Sequence, residues 1–399
     1  MSAAPGRRLR LGVVGLGAIA QTAHLPLIRR RWDLAEVVAV ADISPARRDA
    51  VGDLYGVGPE HRHADLVRLL DAETLDGVVL LTAGSHGPEA LECVRRGVPV
   101  LCEKPLAFTV AEADALAAAE AEQGRPLVLL GYMKEYDEAV DRAMEEIPAD
   151  GIRAVDVEVL HPADGAQLAF GNLLPPTADV PVAAVDVLTR RTAALVDAAI
   201  GADTPAMLRA LYTNVLLGSI VHDISLLRLL LGGIETVERV RHWPPEVMPG
   251  SIDVAGTVAG GAHLHLGWHY LPDYPAYRET LTVHHATGSV QLVFAVPYVL
   301  NRPTELTVVT ATGTGEHRST FRGDGEAFET ELVAFHAMVV DRVPPRSGVA
   351  EGRADILTAQ AMTRALARSE GLTLGGECAP DGEDGADAPD AEPRAVSRA

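Results

Sequence analysis

Residues 9–20 read LRLGVVGLGAIA, and this stretch predicts how the N-terminal part of the chain folds. Leu9 to Val14 is a continuous apolar run that ends at a glycine, as expected of a strand buried in a parallel sheet. A helical pattern follows from Ala18 to about Arg30. These residues therefore predict a strand, a glycine turn and a helix, which together form the first unit of an α/β domain.

Strand and helix patterns continue to alternate, with short connections, up to residue 131. This rhythm is typical of a doubly wound parallel sheet, so we predict an α/β fold in which residues 1–131 form a Rossmann domain. The further strand-like runs are Val37 to Ala41, Gly77 to Leu81, Val98 to Cys102 and Leu127 to Leu130. The helical patterns between them are Pro45 to Tyr55, Pro88 to Arg96 and Val110 to Gln123.

The pattern changes after residue 131. Several runs with alternating polarity predict a mostly antiparallel open sheet, so we expect an α+β domain over residues 132–374 that binds substrate and mediates oligomerisation. Residues 375–399 are rich in acids and prolines, and we predict a disordered acidic tail there. The predicted strands are Ile152 to Leu160, Ser251 to Val258, His263 to Tyr270, Glu279 to His285, Ser289 to Ala295 and Glu305 to Thr310. The predicted helices are Val182 to Ala199, Pro205 to Leu231, Glu326 to Asp341 and Asp355 to Ser369.

The glycines of the first turn have the spacing of a phosphate-binding loop. Gly15, Gly17 and Ala20 form the arrangement G-x-G-x-x-A directly after a strand and at the start of a helix. Gly15 would permit the tight turn, and Gly17 would let a pyrophosphate approach the backbone. Free N–H groups at the helix start favour an anion, so we predict that Ala18 and Ile19 also bind the cofactor.

An acidic residue, Asp42, ends the second predicted strand. A carboxylate at this position hydrogen-bonds the ribose 2′-hydroxyl of NAD and would repel the 2′-phosphate of NADP. Arg47 and Arg48 on the next helix are basic groups that would suit NADP instead. We therefore predict NAD as the cofactor, with NADP less favoured.

Lysine is rare in this chain. Lys104 and Lys134 are the only lysines among 34 basic residues, and the others are arginines. Lys104 stands in the segment Glu103-Lys104-Pro105, after a predicted strand, and ligands of open α/β sheets bind outside the carboxyl ends of the strands. Lysine can lose its proton in a protein, whereas arginine cannot. Lys104 is therefore a candidate acid/base group, the alternative being an ordinary solvated lysine.

Together these motifs resemble the Gfo/Idh/MocA oxidoreductase family. The resemblance covers the first 135 residues well and residues 215–370 loosely, and it assigns no role to residues 162–214. It implies that Lys104 is the catalytic residue, that Glu103 and Lys104 lie beside the cofactor, and that Thr82 and His86 line the cofactor's path. The matching segments are Gly15 to Ala20, His24-Leu25-Pro26, Asp76-Gly77-Val78 and, as the most specific one, Gly97 to Leu106, which reads GVPVLCEKPL.

The resemblance also points to the helical pattern that contains His222. Family dehydrogenases commonly carry an aspartate and, one turn later, a histidine on the helix face toward the substrate. His222 occupies the histidine position, but Gly218 stands where the aspartate is expected. Asp223 is a poor replacement because adjacent residues point about 100° apart on a helix. We therefore expect a catalytic His222 with an incomplete partner set, the alternative being a hydrogen-bonded histidine between domains.

Lys134 and two tyrosines follow the last predicted strand of the Rossmann domain. Tyr132, Lys134 and Tyr136 are candidate substrate-binding residues, since an amine and two phenols suit hydroxyl groups or a carboxylate. The alternative for Lys134 is a surface lysine on a loop.

Composition argues against several partners. A formal net charge of -21 disfavours nucleic acid and anionic membranes, which attract clusters of Lys and Arg. No apolar run reaches the roughly 20 residues that cross a bilayer, so we expect a cytoplasmic protein. The three cysteines, Cys93, Cys102 and Cys378, have neither metal nor redox spacing.

Five histidines lie on two predicted strands. His-x-His on a strand can chelate zinc, but no carboxylate or thiolate completes an obvious ligand set, so we expect no metal. A polar sheet face or a subunit contact is the favoured interpretation. The histidines are His263, His265, His269, His284 and His285.

The sequence thus predicts an NAD-dependent oxidoreductase that acts on a secondary alcohol or ketone of a sugar, cyclitol or related polyol. Lys104 would move the hydroxyl proton, and His222 would orient the same oxygen. The open sheet favours a homo-oligomer, a dimer or a tetramer. Two alternatives stay open: an enzyme that cleaves glycosidic bonds by transient oxidation, and a catalytically inactive nucleotide-sensing regulator.

Overall fold

The computed structural model describes residues 7–163, 165, 168–169 and 171–380. Its first sheet is parallel throughout and has the strand order β3-β2-β1-β4-β5-β6. The order reverses between the first and fourth strands, which is where ligands bind in open α/β sheets. The predicted doubly wound Rossmann sheet is confirmed. Its strands are β1 (Leu9–Val14), β2 (Ala35–Ala41), β3 (Arg62–His63), β4 (Gly77–Leu80), β5 (Val100–Glu103) and β6 (Val128–Gly131).

Helices cover this sheet, and local sequence fixes where they begin and end. Ser44 caps α2 by accepting a hydrogen bond at 3.1 Å from the backbone N–H of Arg47, and Gly56 ends this helix in the left-handed conformation. The predicted first helix divides into a π-helical turn, Ala20–His24, and α1. The helices are α1 (Leu25–Arg30), α2 (Pro45–Tyr55), α3 (Leu66–Ala72), α4 (Gly87–Arg95) and α5 (Val110–Gln123), and Pro59–His61 forms a 3-10 turn.

The second sheet has eight strands in the order β14-β13-β12-β11-β7-β10-β9-β8. The pair β7–β10 is parallel and the other pairs are antiparallel, so the predicted mostly antiparallel sheet is confirmed. The strands are β7 (Ile152–His161), β8 (Ile234–Trp243), β9 (Ser251–Val258), β10 (His263–Tyr270), β11 (Arg278–His285), β12 (Gly288–Phe294), β13 (Glu305–Ala311) and β14 (Glu316–Arg322).

Two strands of this sheet, β8 and β14, were not expected from the sequence. In β8, register shifts after Ile234 and Val237 break the two-residue alternation that identifies a half-buried strand. Every residue of β14 is exposed, so this edge strand carries no apolar stripe. β14 is therefore held by pairing with its neighbour, whereas β8 also buries Val240 in the core.

Helices pack against one face of the second sheet, including α11 on β8 and α6 on β12 and β13. By length and composition the helical stretch Ala206–Leu231 could cross a membrane, and it is the single stretch of this kind in the described ranges. More than half of its apolar window is buried in the protein, as in the core helix of a globular domain. The helices are α6 (Glu138–Glu146), α7 (Val182–Ile200), α8 (Ala206–Ala210), a π-helix (Leu211–Ile220), α9 (Val221–Leu231), α10 (Ala327–Val340) and α11 (Val349–Ser369).

The predicted start of the disordered tail, residue 375, lies too early in the chain. Gly376–Cys378 forms a 3-10 turn in which Cys378 is 2% exposed. The carboxylate of Glu377 accepts hydrogen bonds from the backbone N–H groups of Val110 at 2.8 Å and Ala111 at 2.9 Å, at the start of α5. Residues 381–399 lie outside the described ranges, so disorder there stays a prediction.

Candidate active site at the carboxyl ends of the parallel strands

A cavity of about 920 Å³ opens at the carboxyl ends of β1, β2, β4 and β5. Its volume lies within the range of about 300–1,000 Å³ that is usual for small-molecule and cofactor sites. Both predicted catalytic residues, Lys104 and His222, line it, although they come from different domains. The cavity therefore lies between the Rossmann domain and α9, the helix that follows the π-helix.

The glycine turn forms one end of this cavity. Gly15 has a φ of 88°, and a Cβ atom there would lie 2.7 Å from the backbone of Leu81, so the turn requires glycine. A Cβ atom on Gly17 would meet no other atom within 4 Å, because that side of the residue faces the cavity. Ala18 and Ile19 line the same wall. This open backbone fits a pyrophosphate group at the start of a helix.

Asp42 lies in the cavity wall next to the glycine turn. Its Oδ2 accepts a hydrogen bond at 2.8 Å from the backbone N–H of Leu16, and its Oδ1 accepts one at 2.9 Å from that of Ser44. Each carboxylate oxygen can accept a second hydrogen bond, so the fixed group can still receive two ribose hydroxyls. The position fits the adenosine ribose of a dinucleotide.

The loop after β4 contributes Thr82 and is held by His86. Thr82 lines the cavity, and its buried hydroxyl oxygen has no hydrogen-bond partner within the described ranges. An orphaned hydroxyl in the wall fits a polar group of a ligand. His86 does not line the cavity. Its ring nitrogens lie 2.7 Å from the carbonyl oxygen of Pro105 and 2.6 Å from that of Thr82, so it joins the two loops from behind.

Glu103 and Lys104 sit at the end of β5. The Oε1 atom of Glu103 lies 3.1 Å from Nε2 of His24, and its Oε2 accepts a hydrogen bond from the backbone N–H of Lys104. Burial opposes ionisation of Glu103, but the hydrogen bond of His24 and the positive charges around the carboxyl, that of Lys104 among them, together outweigh it and lower its pKa. A carboxylate therefore stays ionised beside Lys104 and fixes the backbone on which that lysine stands.

The side chain of Lys104 reaches across to the second domain. Its Nζ donates a hydrogen bond at 2.7 Å to the carbonyl oxygen of Gly218, in the π-helix. Gly218 is the position at which the family resemblance led us to expect an aspartate. In this protein a neutral backbone carbonyl is an acceptor for the lysine at the place where a carboxylate was expected.

His222 follows one turn later, at the start of α9, and lines the cavity. Its Nδ1 atom is buried and has no hydrogen-bond partner within the described ranges. Burial, reinforced by the positive charges of Lys104 and Lys134, places the pKa of His222 well below its ordinary value. The imidazole is therefore neutral near pH 7 and offers one donor and one acceptor.

Lys134 does not line the cavity. It is 4% exposed and forms an ion pair with the buried carboxylate of Glu279, which also accepts a hydrogen bond from the hydroxyl of Tyr277. Asp223 packs against the same pair, and burial next to Glu279 raises its pKa well above the usual value. As the helix geometry predicts, Asp223 points away from the cavity and cannot supply the missing carboxylate.

Tyr132 and Tyr136 are core residues rather than wall residues of the cavity. Tyr132 is 1% exposed, with the guanidinium of Arg228 5.9 Å from its ring centre. Tyr136 is 5% exposed, with the guanidinium of Arg346 5.3 Å from its ring centre. Neither phenol lines the cavity, so neither is placed to contact a substrate bound there.

Several wall residues escaped the sequence reasoning. Pro297, Tyr298 and Phe328 line the cavity from the second domain. No spacing rule points to them, although Pro297-Tyr298 belongs to a loosely matching segment. Further wall residues come from the stretch to which no role was assigned: Thr177, Val180, Leu188 and Arg191.

The histidines of the second sheet form pairs on its exposed face. Nε2 of His265 lies 2.7 Å from Asp253, and Nε2 of His284 lies 3.2 Å from Asp156. In the part of the chain that the structure describes, no group of three or more His, Cys, Asp or Glu side chains is arranged to hold a metal ion.

Comparison with known proteins finds a matching family and several relatives for the Rossmann domain. Residues 9–132 match the family model described as the Gfo/Idh/MocA oxidoreductase family with an NAD-binding Rossmann fold. An inositol 2-dehydrogenase from Burkholderia ambifaria is 38% identical over 148 residues, which are 37% of this chain and 43% of that enzyme. Inositol 2-dehydrogenase 4 from Saccharopolyspora erythraea is 39% identical over 134 residues, 33% of this chain and 38% of that enzyme. The chain thus matches less than half of the length of these relatives.

Solved structures extend the likeness in fold to the second domain. An aldose-aldose oxidoreductase from Caulobacter crescentus superposes with a TM-score of 0.66 at 18% identity, covering 91% of this chain and 98% of that one. The scyllo-inositol dehydrogenase from Lactobacillus casei gives 0.64 at 15% identity, covering 91% and 97%. Residues 9–132 therefore match the model of the Gfo/Idh/MocA oxidoreductase family with an NAD-binding Rossmann fold, and over the rest of the chain the likeness is one of fold.

Proposed function

We propose that this protein is an NAD(P)-dependent oxidoreductase that transfers a hydride between nicotinamide and a secondary alcohol or ketone. The observation that carries the proposal is the meeting of Lys104, His222 and the glycine turn in one cavity. The substrate class, a sugar, cyclitol or related polyol, is supported by the names of the inositol 2-dehydrogenases that match the Rossmann domain.

The chain's own groups suit a dinucleotide, and NAD is the cofactor we propose. The turn at Gly15 and Gly17 would hold the pyrophosphate, and Asp42 would hold the adenosine ribose. Thr82 has a hydroxyl in the wall that lacks a partner within the described ranges. The bound nicotinamide would supply the hydride acceptor or donor.

Lys104 is the group we propose for proton transfer. In the oxidation direction, its amine would take the proton of the substrate hydroxyl, and in reduction its ammonium would return a proton to the carbonyl oxygen. The carbonyl oxygen of Gly218, 2.7 Å from Nζ, holds the side chain across the domain boundary.

His222 would orient the reacting oxygen. The low pKa of this imidazole keeps it neutral, so it can donate one hydrogen bond and accept another without competing with Lys104 for the proton. Pro297, Tyr298 and Phe328 would exclude water from the same end of the cavity.

Single-turnover mixtures of the protein with NAD and a panel of cyclitols and sugars test this function through NADH absorbance. Lys104→Arg is the matched variant, since it keeps the cation but cannot lose the proton, and Lys104→Met removes both. We expect both variants to bind NADH like the wild type and to react about 10²–10⁴-fold more slowly. Unchanged rates in both variants would refute the role of Lys104. Product formed without net NADH change would favour transient oxidation, and dinucleotide binding with no polyol chemistry would favour the sensor.

We also propose that the protein assembles into a homodimer or tetramer through the outer face of the second sheet. Its edge strand β14 is exposed along its whole length, and exposed edges are usually covered in native proteins. Light scattering coupled to size-exclusion chromatography would measure the mass, and a monomer at micromolar concentration would contradict the proposal.

A further inference from the structure

Residues 171–181, which lead into α7, fold back onto the Rossmann domain. Thr177 lines the cavity together with Asp42 and Ser44, and its hydroxyl lies 2.9 Å from that of Ser44. The guanidinium of Arg47 donates to two backbone carbonyls of this segment, at 3.2 Å to Leu174 and 3.1 Å to Pro175. The segment is therefore fastened beside the carboxylate that we assign to the adenosine ribose.

A carboxylate of this segment occupies the first turn of α2. Oδ1 of Asp179 accepts a hydrogen bond at 2.6 Å from the hydroxyl of Ser44, and its Oδ2 accepts one at 2.7 Å from the backbone N–H of Ala46. These hydrogen bonds, that of Ser44 first, hold the pKa of Asp179 below its usual range. The start of this helix therefore already holds an anion that belongs to the chain itself.

The donors that Asp179 and its neighbours in this segment use are among those that a 2′-phosphate would need. The ribose 2′-oxygen belongs next to Asp42, and the donors around that position include the hydroxyl of Ser44, the N–H of Ala46 and the guanidinium of Arg47. The guanidinium of Arg48 also lies there and donates a hydrogen bond at 2.6 Å to the backbone carbonyl oxygen of Asp42. The inserted segment uses the first three of these donors. A 2′-phosphate would have to displace a carboxylate, whereas a 2′-hydroxyl needs only Asp42 as its acceptor.

We propose that Asp179 is a specificity-determining residue that excludes 2′-phosphorylated dinucleotides from the cavity. This inference rests on the proposed function, because it assigns the adenosine end of the cofactor to this side of the cavity. Both carboxylates then act at the ribose 2′-position. Asp42 would accept a hydrogen bond from a 2′-hydroxyl, and Asp179 would occupy the site that a 2′-phosphate needs.

Fluorescence titration of NADH and NADPH on the full-length protein tests the proposal. Asp179→Ala removes the carboxylate, and Asp179→Asn removes its charge while keeping its size. Asp186→Ala is the matched control, because it removes an exposed carboxylate from the adjoining helix α7. We expect Asp179→Ala to shift the ratio of the two Kd values toward NADPH by roughly three- to tenfold, with a smaller shift for Asp179→Asn and none for the control.

The outcomes separate the two proposals. If the wild type binds NADH and both Asp179 variants keep the wild-type ratio within twofold, the specificity role is overturned while dinucleotide binding stands. If the wild type binds neither dinucleotide, both proposals fail. A loss of packing in the segment would change both Kd values together and leave their ratio unshifted, which counts against the specificity role.

Discussion

Replacing Lys134 by methionine distinguishes an internal ion pair from a substrate anchor. The ammonium of Lys134 is paired with Glu279, and the two side chains are 5% and 1% exposed. Methionine keeps an unbranched apolar stem of similar length but removes the charge. Glu279 is then left without its cation next to Asp223, a second buried carboxyl group.

The size of the effect follows from this burial. Removing one partner of a buried ion pair costs about 3–5 kcal/mol, because the remaining charge stays buried without compensation. In a domain of roughly 150–250 residues, 1 kcal/mol lowers Tm by about 2–4 °C. Lys134→Met should therefore lower the Tm of the domain that contains Glu279 by about 6–20 °C.

Differential scanning calorimetry and NADH titration together provide the assay. The double variant Lys134→Met/Glu279→Gln should recover more than half of the lost Tm, since it leaves no unpaired charge on this pair. NADH binding by the folded single variant should stay within about twofold of wild type. A Tm within about 2 °C of wild type, combined with a raised KM for the polyol, would refute the ion-pair reasoning and favour the substrate role.

Two further predictions concern the glycine turn and a buried carboxyl group. Gly17→Val should weaken NADH binding by about tenfold or more with little change in Tm, because the new side chain points into the cavity. Unchanged NADH binding in a fluorescence titration would contradict the pyrophosphate site that we assign to this turn. Burial raises the pKa of Glu135 to about 7, although Arg228 and Ser347 oppose the shift. The folded state thus holds this proton more tightly than the unfolded chain, so the stability that this group contributes is lost as pH rises from about 4.5 to 7. Glu135→Gln should remove that part of the decline in urea midpoints measured between pH 5 and 8, and an identical pH slope would contradict it.

The Rossmann domain was predictable because its signals are local. Apolar runs ending in glycine, with helical patterns between them, identify parallel strands without knowledge of their neighbours. The strand β14 was not predictable in this way, since its residues are polar and exposed and it exists through pairing with β13. The same holds for β8, where bulges break the alternation on which strand prediction depends.

The candidate site was predictable only in part. Lys104 and the glycine turn follow strand ends, and the carboxyl ends of parallel strands meet at one edge of a sheet, so their meeting could be expected. The contribution of the segment that contains Asp179 could not be expected, because no motif links it to Ser44, 135 residues earlier. Its hydrogen bonds to α2 form only when the folded chain brings the segment after β7 back to the Rossmann domain.

The sequence alone determined that the N-terminal part of the chain forms a Rossmann unit and that Lys104 follows one of its strands, at the carboxyl edge of the sheet. Glycine spacing and apolar periodicity carry this information over short distances along the chain. Only the tertiary structure decided which of the two lysines lines the cavity. Lys134 meets Glu279, 145 residues further on, in the interior, whereas Lys104 reaches the carbonyl of Gly218 at the cavity wall. Burial and charge pairing between distant residues set these environments, and no local pattern encodes them.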